Sequence, residues 1–164
     1  MRQIIVVAHN MRSTHNVGSL LRTAEGLAVE QVYLTGYTPY PVVAHDERLP
    51  HLTAKLDKQI SKTALGAEQY VDWHQEADIH TVITHLRGEG YQIIGLEQTP
   101  TSMPLQTMQA PDKVALLLGR EVEGLEQEVI DLCDVCVEIP MLGQKESYNV
   151  VQAAAMALYQ LRFH

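Results

Sequence analysis

Five short apolar segments that alternate with helical patterns constrain the fold of this 164-residue chain more than any other feature. Apolar runs typical of buried strands occupy residues 4–8, 31–34, 92–96, 114–118 and 135–139. Helical patterns fall near residues 15–28, 51–63, 76–88, 124–132 and 149–162. Alternating strands and helices form mostly parallel sheets, because a parallel connection needs a crossover long enough to hold a helix. The sequence therefore predicts an α/β fold, a mostly parallel sheet with helices on both faces.

Length and composition favour a single domain. A chain of 164 residues can bury one substantial core, and its 46% apolar and 20% charged residues are ordinary for a globular protein. No apolar run approaches the roughly 20 residues of a membrane span. The first eight residues indicate a buried strand rather than a signal peptide. We therefore expect one domain over residues 1–164, no membrane partner and a cytoplasmic location.

The net charge of −8 by itself favours a small-molecule enzyme over a nucleic-acid binder. Nucleic-acid binders usually present a basic surface, because neutralising phosphates dominates their affinity. The spacing of Lys55, Lys58 and Lys62 nevertheless places three cations on one face of a predicted helix. Arginines near predicted strand ends are Arg2, Arg12, Arg22 and Arg120. The lysine spacing is equally typical of a solvated helix face.

The pair Cys133 and Cys136 forms a Cys-x-x-Cys sequence, which occurs in zinc sites and in redox motifs. A closed zinc site needs two more ligands, and no His-x-x-x-His or second cysteine pair follows. The redox motif normally opens a helix, whereas residues 135–137 resemble the start of a strand. We expect two structural thiols and no metal.

Arg22 lies on a predicted helix directly after the first strand. The helix from about residue 17 to 28 has an apolar face made of Val17, Leu20, Leu21, Ala24, Leu27 and Ala28. Arg22 projects from the opposite face, with Gly18 and Gly26 one turn to either side. These two glycines predict space for a large anionic ligand beside Arg22. A solvated surface arginine is the alternative interpretation.

Three predicted strands run into segments rich in polar residues and glycine. They end at Leu96, Leu118 and Ile139, and ligands of open α/β sheets bind at such carboxyl ends. No phosphate-binding loop and no Gly-x-Gly-x-x-Gly follows any strand, so nucleotide phosphate binding has little support. Farther along, Asn149 with Gln152 three residues later has the spacing of a helix capping box. Capping alone explains Asn149 as well as a role in a site does.

The clusters together resemble the SpoU/TrmH family of SPOUT-superfamily RNA ribose 2′-O-methyltransferases. The motifs that carry the resemblance are residues 16–24 (Asn-Val-Gly-Ser-Leu-Leu-Arg-Thr-Ala), 118–125 (Leu-Gly-Arg-Glu-Val-Glu-Gly-Leu) and 139–150, with a further similar segment at 61–67. Tyr148 departs from the family pattern, which usually has leucine there. The chain resembles the minimal catalytic domain, without an RNA-binding extension.

The resemblance implies a C-terminal trefoil knot, S-adenosylmethionine bound in a bent conformation, and a homodimer in which each site draws on both chains. It implies transfer of a methyl group to a ribose 2′-hydroxyl of tRNA or rRNA. Knots are nearly absent from proteins, so spacing arguments alone would not propose one. Two alternatives remain: a catalytically silent RNA-binding domain of the same fold, and a small-molecule methyltransferase.

The resemblance also implies roles for individual residues. The polar active-site set is Asn16, Arg22, Glu121, Ser147 and Asn149. The cofactor set is Leu96, Gly119, Ile139, Met141, Ser147 and Asn149. The RNA set is Arg12, Arg22, Lys55, Lys58 and Lys62. Because a guanidinium stays protonated in proteins, we expect Arg22 to orient the hydroxyl and stabilise the developing alkoxide rather than act as a free base.

Overall fold

A computed structural model describes residues 1–164 and contains one sheet of seven strands, every pair of which is parallel. The strands are β1 (Gln3–His9), β2 (Gln31–Thr35), β3 (Trp73–Glu76), β4 (Gln92–Leu96), β5 (Met103–Pro104), β6 (Lys113–Leu118) and β7 (Val135–Glu138). The helices are α1 (Thr14–Gly26), α2 (Pro50–Ala64), α3 (Ile79–Gly88), α4 (Gln127–Ile130) and α5 (Val150–Phe163). The strand order is β3-β2-β1-β6-β4-β7-β5. The predicted α/β fold with a parallel sheet is confirmed.

Helices cover both faces of the sheet. In β1 the side chains of Ile4 and Val6 join one apolar cluster, and those of Ile5 and Val7 join a second. This alternation follows from the two-residue period of a strand. The first cluster includes buried side chains of α1, α2 and α5, and the second includes those of α3 and α4. Both faces of the central strands are therefore apolar, as their continuous apolar sequences predict.

The most extensive contact between two helices is that of α1 with α2, and it depends on Gly18. A Cβ atom on Gly18 would lie 2.2 Å from the carbonyl oxygen of Ile60 and 2.2 Å from Oγ1 of Thr63. The Thr63 hydroxyl also donates to the carbonyl of His15 at 2.8 Å. The prediction that Gly18 leaves space beside Arg22 is thus wrong, because α2 fills that space.

Three helices begin or end at residues other than those that the sequence pattern predicts. Helix α1 stops at Gly26, and Ala28 has a positive φ of 52° that no helix can contain. Helix α3 starts at Ile79 rather than at residue 76, because the Asp78 side chain accepts from the N–H groups of His80 and Thr81. Helix α4 is reduced to Gln127–Ile130, well short of the predicted 124–132.

Two edge strands were not predicted. Strand β3 pairs only with β2, and its sequence Trp-His-Gln-Glu contains no buried residue. Strand β5 is two residues long and pairs only with β7. Edge strands need no buried side chains, so they lack the apolar signature of the five central ones.

No helix is both long and apolar enough to cross a membrane.

The order of the strands is consistent with the trefoil knot that the resemblance implies, and the knot itself stays a prediction.

Candidate active site

A cavity of about 360 Å³ opens at the carboxyl edge of the sheet. Its walls come from the ends of β4, β6 and β7 and from the start of α5. Parallel α/β sheets bind their ligands at this edge, where the loops after neighbouring strands meet. The three strand ends that the sequence singled out therefore contribute to one cavity.

The loop after β6 is closed on itself by two glycines. The N–H of Arg120 donates to the carbonyl of Gly124 at 3.1 Å, and the N–H of Gly124 donates back at 3.2 Å. Gly124 has a φ of +70°, and a Cβ on Gly119 would lie 2.3 Å from the carbonyl carbon of Gly124. Only glycine allows both the positive φ and this approach. The closed loop holds Arg120 and Glu121 at the cavity.

Glu97 fastens this loop to the end of β4. Its Oε2 accepts from the N–H of Leu125 at 2.8 Å, and its Oε1 accepts from the N–H of Gln98 at 2.9 Å. A Cβ on Gly124 would lie 2.0 Å from Oε2 of Glu97. Both oxygens of the carboxylate therefore accept from backbone N–H groups, and these bonds hold the two strand ends together.

The carboxylate of Glu121 joins the β6 loop to the start of α1. Oε1 accepts from the N–H of Ser13 at 2.8 Å and from Nδ2 of Asn16 at 3.1 Å. Oε2 accepts from the N–H of Arg12 at 3.1 Å. Burial acts to raise the pKa of Glu121, but these donors outweigh it and lower the pKa from its usual range. Glu121 is therefore held as an ionised acceptor.

Asn149 extends the same network to α5. Its Oδ1 caps the helix by accepting from the N–H groups of Val151 and Gln152 at 2.9 Å and 3.4 Å. Its Nδ2 donates to Oδ1 of Asn16 at 3.4 Å. The capping interpretation is correct, and the side chain also contacts the predicted active-site set. One hydrogen-bonded chain thus joins Glu121, Asn16 and Asn149.

A buried polar cluster lies at the end of β1. His9 Nδ1 bonds to Oγ1 of Thr35 at 2.9 Å, and its Nε2 lies 3.1 Å from Nδ2 of Asn10. Asn10 Nδ2 also donates to Oε1 of Glu126 at 3.2 Å. Burial lowers the pKa of His9, and the Glu126 carboxylate only partly opposes this shift. A neutral imidazole that donates from Nδ1 and accepts at Nε2 satisfies both contacts.

The structure brings most of the predicted cofactor residues to the cavity. Leu96, Gly119, Ile139 and Ser147 line it, whereas Met141 and Asn149 do not. Asn149 caps the helix beside the cavity, and Met141 lies half-buried in the loop after β7. Their contact with a cofactor stays a prediction.

Arg22 is not part of the hydrogen-bonded network. As predicted, it projects from the face of α1 opposite the buried Val17, Leu20 and Leu21, and its side chain is exposed. It follows Asn16 by six residues, which places it about 9 Å farther along the helix axis. Within one chain the structure therefore separates Arg22 from the other members of the predicted set.

The predicted RNA cations differ in their surroundings. Lys55, Lys58 and Lys62 are all exposed, on the side of α2 away from the buried Ile60. Arg12 is exposed as well, but its Nη2 pairs with Oε1 of Glu123 at 2.8 Å. The lysines are free for a ligand, whereas Arg12 must leave Glu123 to contact one.

The two cysteines are not arranged as a reactive pair. Cys136 is buried, Cys133 is half-buried, and burial is the main cause that raises the pKa of Cys133 to about 12. Both are therefore protonated thiols at neutral pH, as expected for structural residues. No group of three His, Cys, Asp or Glu side chains is placed to hold a metal ion.

Sequence reasoning missed several residues that line the cavity. Arg120 and Tyr148 lie within motifs that the sequence singled out, but neither was assigned to the site. Glu97 also lines the cavity, and it was not assigned to the site even though it directly follows the predicted strand end at Leu96. Position within two residues of a strand end was a usable signal for Glu97 and Arg120, since the loops there define the ligand edge.

Comparison with known proteins identifies the family. The sequence profile of the SpoU rRNA Methylase family matches residues 3–159. The chain belongs to this family. The SpoU resemblance of the three motifs is thus confirmed over nearly the whole sequence.

Two curated SpoU relatives differ in their RNA substrates. The chain is 31% identical over 158 residues to the mouse tRNA (guanosine(18)-2'-O)-methyltransferase TARBP1, covering 96% of this chain and 9% of the relative. It is 29% identical over 159 residues to the 23S rRNA (guanosine-2'-O-)-methyltransferase RlmB of Neisseria meningitidis serogroup B, covering 97% and 58%. The chain thus spans less than two thirds of either relative.

A solved structure confirms the SpoU fold. The AdoMet-bound rRNA methyltransferase from Sinorhizobium meliloti superposes with a TM-score of 0.83 at 21% sequence identity. The superposition covers 99% of this chain and 57% of the other. At this identity the similarity concerns the fold.

Proposed function

We propose that this protein is an S-adenosylmethionine-dependent RNA methyltransferase that methylates a ribose 2′-hydroxyl of tRNA or rRNA. The observation that carries the proposal is the hydrogen-bonded chain of Glu121, Asn16 and Asn149 beside the cavity. These residues come from all three motifs of the SpoU family to which the chain belongs. We propose that residues 1–164 act as one catalytic domain in the cytoplasm.

The cavity fits S-adenosylmethionine in size and in chemistry. A volume of about 360 Å³ lies within the usual range of small-molecule sites. Leu96, Ile139 and Val150 supply apolar surface for an adenine ring, and Gly119 lets the backbone approach it. Arg120 lines the same cavity and is the one cation among its lining residues. When bound, the cofactor supplies a methyl group activated by a positively charged sulfur.

The residues of the chain position the other reactant. Glu121 holds Asn16 at 3.1 Å, so the Asn16 amide cannot rotate freely and offers a fixed polar group to the RNA backbone. Arg22 orients the ribose hydroxyl and stabilises the negative charge that develops on its oxygen as the proton passes to a neighbouring RNA phosphate. Orientation of this kind supplies much of the rate in a displacement that needs in-line geometry.

A homodimer accounts for the position of Arg22. Met156, Tyr159 and Phe163 form an apolar stripe on α5 with exposed fractions of 37%, 56% and 62%, and the centroids of the last two rings lie 4.8 Å apart in a tilted arrangement. The spacing i, i+3, i+7 places all three on one helix face. We propose that a second copy of the chain covers this stripe, and that each site combines Arg22 of one protomer with Glu121 of the other.

The test is methyl transfer from radiolabelled S-adenosylmethionine to bulk RNA, followed by nuclease digestion and nucleoside analysis. We expect RNase-sensitive label that is recovered as a 2′-O-methylated nucleoside. Label on a small metabolite would instead identify a small-molecule methyltransferase, and label on a base would exclude ribose methylation. RNA binding without any transfer would identify a catalytically silent domain.

A further inference from the structure

We propose that Arg120 binds the carboxylate of the methionine part of the cofactor and thereby orients it in the cavity. This inference rests on the proposed function. It names a ligand contact for a residue that otherwise has only backbone interactions and one long ion pair.

Arg120 is the only cation among the residues that line the cavity. The 15 lining residues include four carboxylates, those of Glu97, Glu121, Glu138 and Glu146, and no lysine or second arginine. An anionic group that enters this cavity therefore has one cationic side chain to meet.

The guanidinium of Arg120 is incompletely satisfied. Its Nε is buried and has no hydrogen-bond partner. Its Nη2 lies 3.7 Å from Oε1 of Glu126, which is longer than a hydrogen bond, and that oxygen already accepts from Asn10 at 3.2 Å. The side chain is only 23% exposed. The guanidinium therefore has no counter-ion within hydrogen-bond distance, and its Nη donors can turn to the carboxylate of a ligand in the cavity.

The backbone of Arg120 is held while its side chain lacks partners. The two hydrogen bonds with Gly124 fix the peptide groups of Arg120 at 3.1 Å and 3.2 Å. The guanidinium is therefore presented from a rigid loop, which lowers the entropic cost of binding. A planar guanidinium can donate two parallel hydrogen bonds to a carboxylate.

The surrounding charges favour the cofactor over an RNA phosphate as the bound anion. The four carboxylates of the cavity repel a polyanion. S-adenosylmethionine carries a carboxylate together with a positive sulfur and an ammonium group, so the same acidic lining attracts its cationic part. One cation within an acidic cavity thus complements a ligand with both signs of charge.

The test compares two ligands that differ only in the carboxylate, S-adenosylmethionine and its decarboxylated form. Their dissociation constants are measured by calorimetry for the wild type, Arg120→Gln and Arg120→Lys. A control variant, Lys113→Gln, removes a cation at the opposite end of β6. We expect Arg120→Gln to weaken S-adenosylmethionine binding about 10- to 100-fold, the usual range for loss of a charge-assisted pair, and to leave the decarboxylated ligand within about twofold. Arg120→Lys should recover part of the affinity.

Other outcomes overturn the inference in distinguishable ways. Equal weakening of both ligands, with a lower melting temperature, would mean that Arg120 only shapes the loop. Unchanged S-adenosylmethionine affinity, with weaker RNA binding and a shallower salt dependence, would assign Arg120 to a phosphate. If the wild type bound neither ligand, the proposed function itself would fail, and Arg120 would have no cofactor to contact.

Discussion

The side-chain amide of Asn16 donates to the carboxylate of Glu121 at 3.1 Å, between residues that are 105 positions apart in sequence. The other end of that amide accepts from Asn149 at 3.4 Å. One asparagine thus links the start of α1, the loop after β6 and the start of α5. Because each of these segments carries one SpoU motif, the contacts of Asn16 fix the positions of the three motifs relative to one another.

The first prediction separates the two roles of Asn149. Asn149→Ala removes both the helix cap and the contact with Asn16, whereas Asn149→Ser keeps a capping oxygen and is too short to reach Asn16. We expect Asn149→Ala to lose about 1 kcal/mol in the free energy of unfolding, and Asn149→Ser to lose only a few tenths. Methyl transfer should fall in both variants. Full activity of Asn149→Ser would show that the cap is the only role of Asn149.

The second prediction concerns the two glycines of α1. Gly18→Ala would place a methyl group 2.2 Å from the backbone of α2, whereas a Cβ on Gly26 meets nothing within 4 Å. We expect Gly18→Ala to destabilise the protein by about 1–3 kcal/mol through overpacking. Gly26→Ala should be neutral, or stabilising by up to about 1 kcal/mol. Urea unfolding of both variants measures the difference, and equal stabilities would contradict the close α1–α2 contact.

The central fold was predictable because its strands are buried on both faces. The five continuous apolar runs correspond to β1, β2, β4, β6 and β7 within one or two residues. The strands that were missed lie at the two edges of the sheet, where side chains need not be apolar. The spatial order of the strands is set by long-range pairing, so the sequence pattern carried little information about it.

The site was predictable only in part, for reasons that differ among its residues. The resemblance supplied Glu121 and Asn16, since their motifs are local in sequence. It did not supply Arg120, whose orphan Nε depends on burial by distant segments. Gly18 was misinterpreted because helical periodicity gives a residue's direction and not the neighbour that it meets.

The third prediction is a pH dependence that comes from Glu121. Since folding lowers the pKa of Glu121 below its usual 4.5, its ionised form stabilises the protein fully above that pH. This contribution is lost as the pH falls through the lowered pKa of the folded state. Glu121→Gln should cost about 1–3 kcal/mol at pH 7, because an amide group replaces an acceptor of three donors.

The measurement is urea unfolding of the wild type and Glu121→Gln from pH 7 to pH 3. We expect the gap between the two stabilities to shrink below pH 4.5, the usual pKa of this carboxyl. The buried His9 also makes the protein less stable as the pH falls below 6.5, but it is present in both proteins and cancels in the difference. Glu128→Gln, on the exposed surface of α4, is the control and should follow the wild-type curve. A gap that is constant with pH would contradict an ionised Glu121.

The fourth prediction assigns Arg22 to the site of the partner protomer. Arg22→Ala should abolish methyl transfer while leaving the affinity for S-adenosylmethionine unchanged, because Arg22 does not line the cavity. Glu121→Gln should also be inactive, through loss of the contact with Asn16. In the proposed homodimer, either variant alone leaves every site defective.

Mixing the two inactive variants tests how their residues are shared. If each site takes Arg22 from one protomer and Glu121 from the other, a mixed dimer has one site with both residues intact. Random exchange makes half of the dimers mixed, so activity should return to about a quarter of the wild-type value. If both residues of a site came from the same chain, no dimer would contain an intact site, and the mixture would stay inactive. Subunit exchange is verified independently by differently tagged protomers, so an inactive mixture with exchanged subunits would exclude the shared site.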